Sequence, residues 1–364
     1  MSLGRKKVLF FIPSLAGGGA ERVFTSLLQH LNRDRFDLHL AVLQAAGPYM
    51  QDLPEDVAVH DLGISRVRYA LPRIARLVWK LRPHTILSTL RHLNLALVLC
   101  KPFMPRGTRL LIREAWSVTA PMEEMHQPER WNWFCRRFYN RADVVLCQSD
   151  SMLNELAEHF RLPRKKLVRI YNPIDIGRVR ESAEIDGNPL PGPGPHLVTA
   201  GRLSWEKGHD VLLEAMPTVL QSLPNARLII LGEGPRQREL TEQSKRLGLA
   251  EAVCFLGFQQ NPWRYFRHAD VFVLSSRHDG LPNALLEAVA LGTPVVATDC
   301  PGGIREVQDG SIGMVLGPPE DSLALAEAIV SVCCKQGRER LRTSPEALNR
   351  FGLHRVVGEY AALF

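Results

Sequence analysis

Apolar and polar residues follow two alternating rhythms along the chain. Short runs rich in leucine and β-branched residues, without polar alternation, occupy residues 8–12, 38–42, 85–88, 110–112, 144–147 and 168–171. After a gap they resume at 197–200, 226–231, 253–256, 271–274, 294–297 and 313–316. Strands covered on both faces read this way. Helical periods lie between the runs, such as Leu212, Ala215, Met216, Val219 and Leu220. Strand alternating with helix predicts an α/β protein of two βα stacks, each on a parallel sheet.

The gap sets the expected domain organisation. Residues 181–195 read ESAEIDGNPLPGPGP, whose four prolines cannot donate to a sheet. The reading is a Rossmann-like domain over 1–180, a linker over 181–195, and a second domain over 196–345. A helix within 346–364 is expected to pack back on the first half. No internal repeat is visible.

Composition adds limits. Hydrophobic residues are 45% and charged residues 23%, which suits a full core and excludes wholesale disorder. The net charge of +7 is unevenly divided. Residues 1–180 hold 28 Lys and Arg against 16 Asp and Glu, a net +12; residues 181–364 hold 17 against 22, a net −5. No nucleic-acid-binding motif accompanies the basic half, so a nucleic-acid partner is not expected. The charge points instead to an anionic partner or membrane surface. Seven irregularly spaced cysteines without a CxxC pair argue against a disulfide framework or zinc site and for reduced thiols in the cytoplasm. The longest apolar stretch, 93–100, is far too short to span a bilayer. Arg5-Lys6-Lys7 and the following VLFFIPSLAGGGA imitate a leader, but Pro13 interrupts the run and Glu21-Arg22 follow it, so a buried first strand is expected.

Four loops carry candidate chemistry. Gly17-Gly18-Gly19 follows the first strand and opens a helix, where close backbone approach and helix amides suit an anion; a tight turn is the plainer reading. GRLSWEKG, 201–208, places Arg202 and Lys207 at a strand's C-terminal end, the ligand edge of open α/β sheets, where two cations suit a diphosphate. In SSRHDGLPNALLEAVALGTPVVATD, 275–299, Asp279 lies before a helix and Glu287 inside it. The helix start at 280–285 offers amides to a second anion, and Glu287 on an apolar helix needs a hydroxyl or cation partner. Finally, Asp299-Cys300-Pro301-Gly302-Gly303 is another strand-end glycine loop; no histidine adjoins Cys300, which disfavours a nucleophile.

The chain here resembles the retaining GT-B glycosyltransferases of group 1, family 4. The resemblance rests on GGGAERV, NPID at 172–175, GRLSWEKG, LIILGEGP at 228–235 and the Asp-x7-Glu segment. The TDCPGGIREV ending looks like bacterial members that transfer hexosamines during surface-polysaccharide or glycolipid assembly. The resemblance implies two Rossmann-like domains facing across a cleft, hinged, with the C-terminal helix crossing back. It implies retaining transfer of a sugar from a nucleotide-sugar, usually UDP-linked, to a glycan or lipid-linked acceptor. Arg202 and Lys207 would clamp the donor diphosphate and Glu287 would hold the ribose. The backbone of Leu281, Pro282, Asn283, Ala284 and Leu285 would meet the distal phosphate and sugar. Gly18 and Gly19 would lie under the donor, and Phe258 beside the base. Asp279 stands where the family has Glu, one methylene longer. On the acceptor side the family's histidine is replaced within IREAW by Arg113 and Glu114; Glu114 and His92 both remain candidates for contacting the acceptor.

No Asp-x-Asp occurs, and two such carboxylates commonly hold a divalent cation. Metal-independent transfer without a cofactor is therefore expected. Residues 66–82 put Ile74, Leu77, Val78 and Leu81 on one helical face among arginines, which reads either as an interfacial helix on anionic lipid or as a helix packed on its own sheet. Trp131, Trp133, Phe134, Arg136 and Arg137 in 116–138 read as a headgroup interface or as core. The expected location is cytoplasmic, peripheral on the inner membrane face. A UDP-sugar epimerase on the same fold, or a basic binding module, are the alternatives.

Overall fold

The computed structural model describes residues 4–117, 128–185, 187–308, 312–334, 341 and 343–364. By packing, the chain divides into two units: residues up to Pro173 together with Leu353–Phe364, and Ile174–Gly352. The first is built on strands β1 (Lys6–Ile12), β2 (Phe36–Val42), β3 (Ala58–Asp61), β4 (Thr85–Thr89), β5 (Arg109–Arg113), β6 (Val144–Cys147) and β7 (Leu167–Arg169), in the order β3-β2-β1-β4-β5-β6-β7. The second contains β8 (His196–Ala200), β9 (Arg227–Leu231), β10 (Val253–Gly257), β11 (Val271–Leu274), β12 (Val295–Thr298) and β13 (Met314–Gly317), in the order β10-β9-β8-β11-β12-β13. Every pairing is parallel. The apolar runs are the strand centres; Val8 to Ile12 and Val295 to Ala297 are at most 1% exposed.

Twelve of these strands overlap the apolar runs. The thirteenth, β3, does not, because it is an edge strand of four residues, AVHD, with three of them exposed. It is fixed by its pairing with β2 rather than by burial.

The chain passes to the second unit before the proline-rich segment. The helix Ile176–Ala183 packs in the second unit, where Arg180 Nε donates to the Ala290 carbonyl at 3.1 Å and Asn261 Nδ2 to the Ser182 carbonyl at 2.7 Å. These contacts outweigh the loose composition of 181–195, which begins inside that helix. Chain return occurs at Gly352. From there the helix Leu353–Leu363 belongs to the first unit, where Val356 and Tyr360 are fully buried. Phe364 closes this packing with edge-on ring contacts to Phe10 at 5.9 Å and Phe36 at 5.8 Å.

In residues 66–82, the face expected to be apolar is covered by the protein itself. Ile74 and Val78 on the helix Leu71–Leu81 are 0% and 1% exposed, and Leu77 and Leu81 pack against the same core. On the helix Pro128–Phe138, Trp131, Phe134 and Phe138 likewise pack on that core, whereas Trp133 is 57% exposed. The part of that stretch at 118–127 lies outside the described residues.

Candidate active site

Each sheet reverses its strand order once, between β1 and β4 in the first unit and between β8 and β11 in the second. Ligands of open α/β sheets bind at such switch points, beyond the strands' C-terminal ends. In the second unit these ends carry Gly201 to Gly208 after β8 and Ser275 to Asp279 after β11.

The two loops are stitched together. Ser275 Oγ donates to the Lys207 carbonyl at 3.0 Å, and the Arg277 N–H to the Glu206 carbonyl at 2.8 Å. Gly208, at φ +61°, lies so close that a Cβ there would sit 2.0 Å from the Ser275 carbonyl oxygen. The result brings Lys207 Nζ within 2.5 Å of Asp279 Oδ2, which also accepts from Ser276 Oγ at 3.3 Å. Burial works against the Lys207 charge, but Asp279 outweighs it and the ammonium pKa is raised. The shorter side chain at 279 thus spans to Lys207 in this state.

The glycine loop after β12 braces Asp279 from the other side. The Asp279 N–H donates to the Pro301 carbonyl and the Gly303 N–H to the Asp279 carbonyl, each at 3.2 Å. At Gly302, φ +126°, a Cβ would stand 1.6 Å from the Asp279 oxygen, so no other residue fits. Cys300 lies beside this bracket, 4% exposed, with burial and Asp279 pushing its thiol up to about 12. A neutral thiol is no nucleophile at pH 7. Iodoacetamide at pH 7.5 is expected to leave Cys300 of the folded protein unmodified, read by peptide mass spectrometry, with Cys300→Ala retaining activity. Rapid labelling of the native protein at this cysteine would contradict the assignment.

The remaining second-unit candidates sit along the same edge. Glu287 is 4% exposed within the helix Asn283–Ala290, so it is not a solvent-facing residue. Leu281, Pro282 and Leu285 are buried, Asn283 and Ala284 half-buried at the helix start, and Arg202 is exposed. Phe258, half-buried, follows Gly257 at the end of β10, and its N–H donates to Glu233 Oε1 at 3.4 Å.

Sequence reading missed the group that holds these loops. Arg277 forms a two-pronged ion pair with Asp210, Nη1–Oδ1 2.8 Å and Nη2–Oδ2 2.9 Å. Nη1 also donates to the Trp205 carbonyl at 2.7 Å, Nε to Glu320 Oε1 at 2.6 Å, and the guanidinium lies 4.8 Å from the Trp205 ring centre. A single side chain therefore ties together both loops and the first turn of the helix His209–Ser222. Arg277 and Glu206 alternate with motif residues, but the pairing with a partner 67 positions away has no local signature.

In the first unit, Gly18 caps the helix Gly19–His30 at the end of β1, and both glycines are exposed. The positive φ of this turn, +102°, falls on Gly17. At the end of β4, Leu90 adopts φ +72°, a region costly for a side-chain-bearing residue. Its carbonyl accepts from the Leu93 and Asn94 amides, which begins the helix Arg91–Cys100 immediately. This turn sends Arg91 inward and leaves His92 half-buried. Burial pushes the His92 pKa below its usual range, with Glu114 pulling the other way.

Glu114 is 1% exposed and fully engaged by the protein. Its carboxylate meets Arg91 Nε at 3.2 Å, Asn94 Nδ2 at 3.1 Å and the Tyr139 hydroxyl at 2.5 Å. Burial, then Glu114, hold the Tyr139 hydroxyl well above its ordinary pKa, so it donates. Arg113, also 1% exposed, points elsewhere, with Nη2 on Asn172 Oδ1 at 2.6 Å. Of the two acceptor-side candidates, Glu114 is thus packed into a network and His92 is the more exposed.

A family model described as "Glycosyl transferases group 1" matches residues 194–334, and one described as "Glycosyltransferase Family 4" matches 17–178. An N-acetylgalactosamine-N,N'-diacetylbacillosaminyl-diphospho-undecaprenol 4-alpha-N-acetylgalactosaminyltransferase of Campylobacter jejuni is 31% identical over 85% of this chain and 86% of its own. The chain belongs to the group 1, family 4 glycosyltransferases. A second glycosyltransferase, the lipopolysaccharide core biosynthesis enzyme LpsE of Rhizobium meliloti, is 25% identical over 95% of each chain. Among solved structures, the glycosyltransferase of Rickettsia africae superposes with a TM-score of 0.77 at 17% identity, covering 99% of this chain and 98% of its own. Anabaena HepE, in complex with UDP-glucose, superposes with a TM-score of 0.78 at 20% identity, covering 98% of this chain and all of its own. The fold of this glycosyltransferase is GT-B, with parallel sheets of seven and six strands. Among the described residues no helix is long and apolar enough to cross a membrane.

Proposed function

We propose that this glycosyltransferase transfers a sugar, with retention, from a UDP-linked donor to a lipid-linked or polysaccharide acceptor, without a bound metal or cofactor, at the inner face of a membrane. The observation that carries the reading is the pairing of Lys207 and Asp279 at the switch point of the second sheet, where β8 and β11 end together. The UDP-glucose complex of HepE supports the donor class, and the diphospho-undecaprenol and lipopolysaccharide in the relatives' names support the acceptor class.

In this reading Arg202, Lys207 and the first-turn amides of the helix Asn283–Ala290 receive the charge that develops on the departing diphosphate. Glu287 holds the ribose, Leu281 to Leu285 line the distal phosphate and sugar, and Phe258 meets the base. The bond from the anomeric carbon to the phosphate oxygen breaks. The acceptor oxygen bonds to that carbon on the same face, and its proton passes to the departing phosphate. No enzyme base is then required. His92 contacts the acceptor, with Glu114 behind it as support for Arg91 and the helix start.

The experiment is a panel of nucleotide sugars, with UDP release and product analysis with and without EDTA. A UDP-sugar is expected to be consumed only with acceptor and equally in EDTA. Loss in EDTA restored by Mg²⁺ overturns the metal-free step, and a new sugar formed from donor alone favours the epimerase.

A further inference from the structure

We infer that the buried Tyr139 hydroxyl is a positioning group: through Glu114, Arg91 and Asn94 it holds the strained turn at Leu90, and so fixes the direction in which His92 is presented. The inference deepens the acceptor-side reading of His92 and rests on it for its effect on transfer; the clamp itself rests on contacts within the first unit.

The turn is the first observation. β4 ends at Thr89 and the helix Arg91–Cys100 begins at once, with Leu90 at φ +72° between them. A residue with a side chain is costly in that region and persists there only where its surroundings hold it. Arg91 and Asn94, neighbours on one face of the helix, supply the hold. Ser88 Oγ donates to Asn94 Oδ1 at 2.5 Å. Asn94 Nδ2 donates to the Arg113 carbonyl at 2.9 Å and to Glu114 Oε1 at 3.1 Å, and Arg91 Nε to Glu114 Oε2 at 3.2 Å. His92 lies between these two anchors along the chain and a fraction of a turn away from both, so its direction follows from theirs.

Tyr139 is the second. It is fully buried at the start of the turn Tyr139–Arg141, directly after the helix Pro128–Phe138. Its hydroxyl donates to Glu114 Oε1 at 2.5 Å, the same oxygen that receives Asn94. Phe160 packs edge-on against the Tyr139 ring at 5.8 Å, and its own ring centre is 5.9 Å from the Arg91 guanidinium, so one side chain supports both ends of the network. A phenylalanine would fill this part of the core, and a buried hydroxyl is a cost unless it is bonded. The hydroxyl is explained by what it holds.

Dependence runs from the core to the sheet edge. Apart from Tyr139, the Glu114 carboxylate is held by Arg91 and Asn94, both on the helix whose start it orients. Tyr139 is its contact with a different element, and so refers the helix start to the packed core. The Glu114 backbone is tied separately, its carbonyl to Gln148 Nε2 at 3.2 Å and its N–H to the Leu146 carbonyl at 2.9 Å. Removing the hydroxyl therefore frees the carboxylate without freeing the strand end.

The test is Tyr139→Phe in the whole protein, which removes one oxygen and keeps the ring. Diethyl pyrocarbonate labelling of His92, followed across pH by peptide mass spectrometry, needs no substrate. Burial holds the His92 pKa below its ordinary 6.5, so a loosened turn is expected to speed labelling severalfold and to move its midpoint up. Steady-state kinetics with a polyprenyl-diphosphate-linked hexosamine as the acceptor probe are expected to show kcat/KM for that acceptor lowered about tenfold to a hundredfold, the scale of a misplacement of about 1 Å, with KM for the nucleotide sugar unchanged. In a His92→Ala background Tyr139→Phe is expected to have no further effect on the acceptor constants, whereas damage spread through the fold would add. Ser88→Ala cuts the clamp more gently at Asn94 and is expected to move both readouts in the same direction, which decides the matter if Tyr139→Phe folds poorly. A lower Tm with both readouts unchanged makes Tyr139 a core residue only and overturns the proposal, as does an acceptor effect that adds fully to that of His92→Ala. Altered His92 labelling in a protein whose wild type transfers no sugar leaves the positioning role standing and removes the acceptor reading instead.

Discussion

Lys207→Ala is expected to lower kcat by about 10²–10³-fold, the usual loss when one preorganised donor is removed from a developing anion. Its loss of folding stability is expected to be much less consequential. Lys207 and Asp279 are 19% and 11% exposed, so solvent screens part of the pair, and Ser276 remains on the same Asp279 oxygen. A Tm decrease of a few degrees is the expected scale. The sign of the pH dependence follows from the raised Lys207 pKa. The pair's stabilisation is complete at neutral pH and is lost as pH rises through the ammonium pKa, above the ordinary 10.5. A double variant, Lys207→Ala/Asp279→Ala, separates the two effects. It is expected to recover stability, since no buried carboxylate is stranded, yet to remain inactive. Steady-state kinetics beside thermal melts would decide, and near-normal turnover of Lys207→Ala would end the phosphate-clamp role.

The second large effect is expected at Arg277, which need not touch substrate. Arg277→Lys keeps the charge but loses the planar fork that grips both oxygens of Asp210 and the Trp205 carbonyl. Burial opposes the Arg277 charge, but its hydrogen bonds to Asp210 and Glu320 raise its pKa, and Asp210 is held below the usual carboxylate range by the same pair. The loops carrying Lys207 and Asp279 would then lose their common anchor. A misplacement of about 1 Å typically costs about 10²-fold, so kcat/KM should fall on that order, with KM for the nucleotide sugar rising. Arg277→Ala should add about 3 kcal/mol of destabilisation by stranding Asp210 beside Arg236 alone. Kinetics well below the melting temperature distinguish the roles. If Arg277→Lys melts lower but keeps both constants, the residue braces the fold only.

Much of this protein is legible in linear order because its information is local. A strand covered on both faces must be apolar at every position, so runs such as Val8 to Ile12 announce themselves. The candidate loops are contiguous and follow their strands directly, so Arg202, Lys207 and Asp279 can be picked out before any contact is known. The same locality explains the omissions. The edge strand β3 carries no apolar run, since only β2 covers it. The proline-rich stretch looks like a boundary, but the preceding helix had already packed into the second unit.

What tertiary structure alone decided is which charges meet. Asp210 and Arg277 are 67 positions apart, Lys207 and Asp279 72, and Arg91 and Glu114 23. Parallel strand order, not sequence distance, brings each pair to one sheet edge. It also decided that Glu114 is enclosed by Arg91, Asn94 and Tyr139, and that the helix Leu71–Leu81 turns its leucine-rich side inward and its arginines and Trp79 outward. The sequence by itself determined the two βα units and the glycine-bearing loops at their strand ends, because hydrophobic burial and backbone approach act on neighbouring residues. Side-chain partnership is settled only when the sheet closes, because an ion pair or a covered face depends on what arrives from elsewhere in the chain.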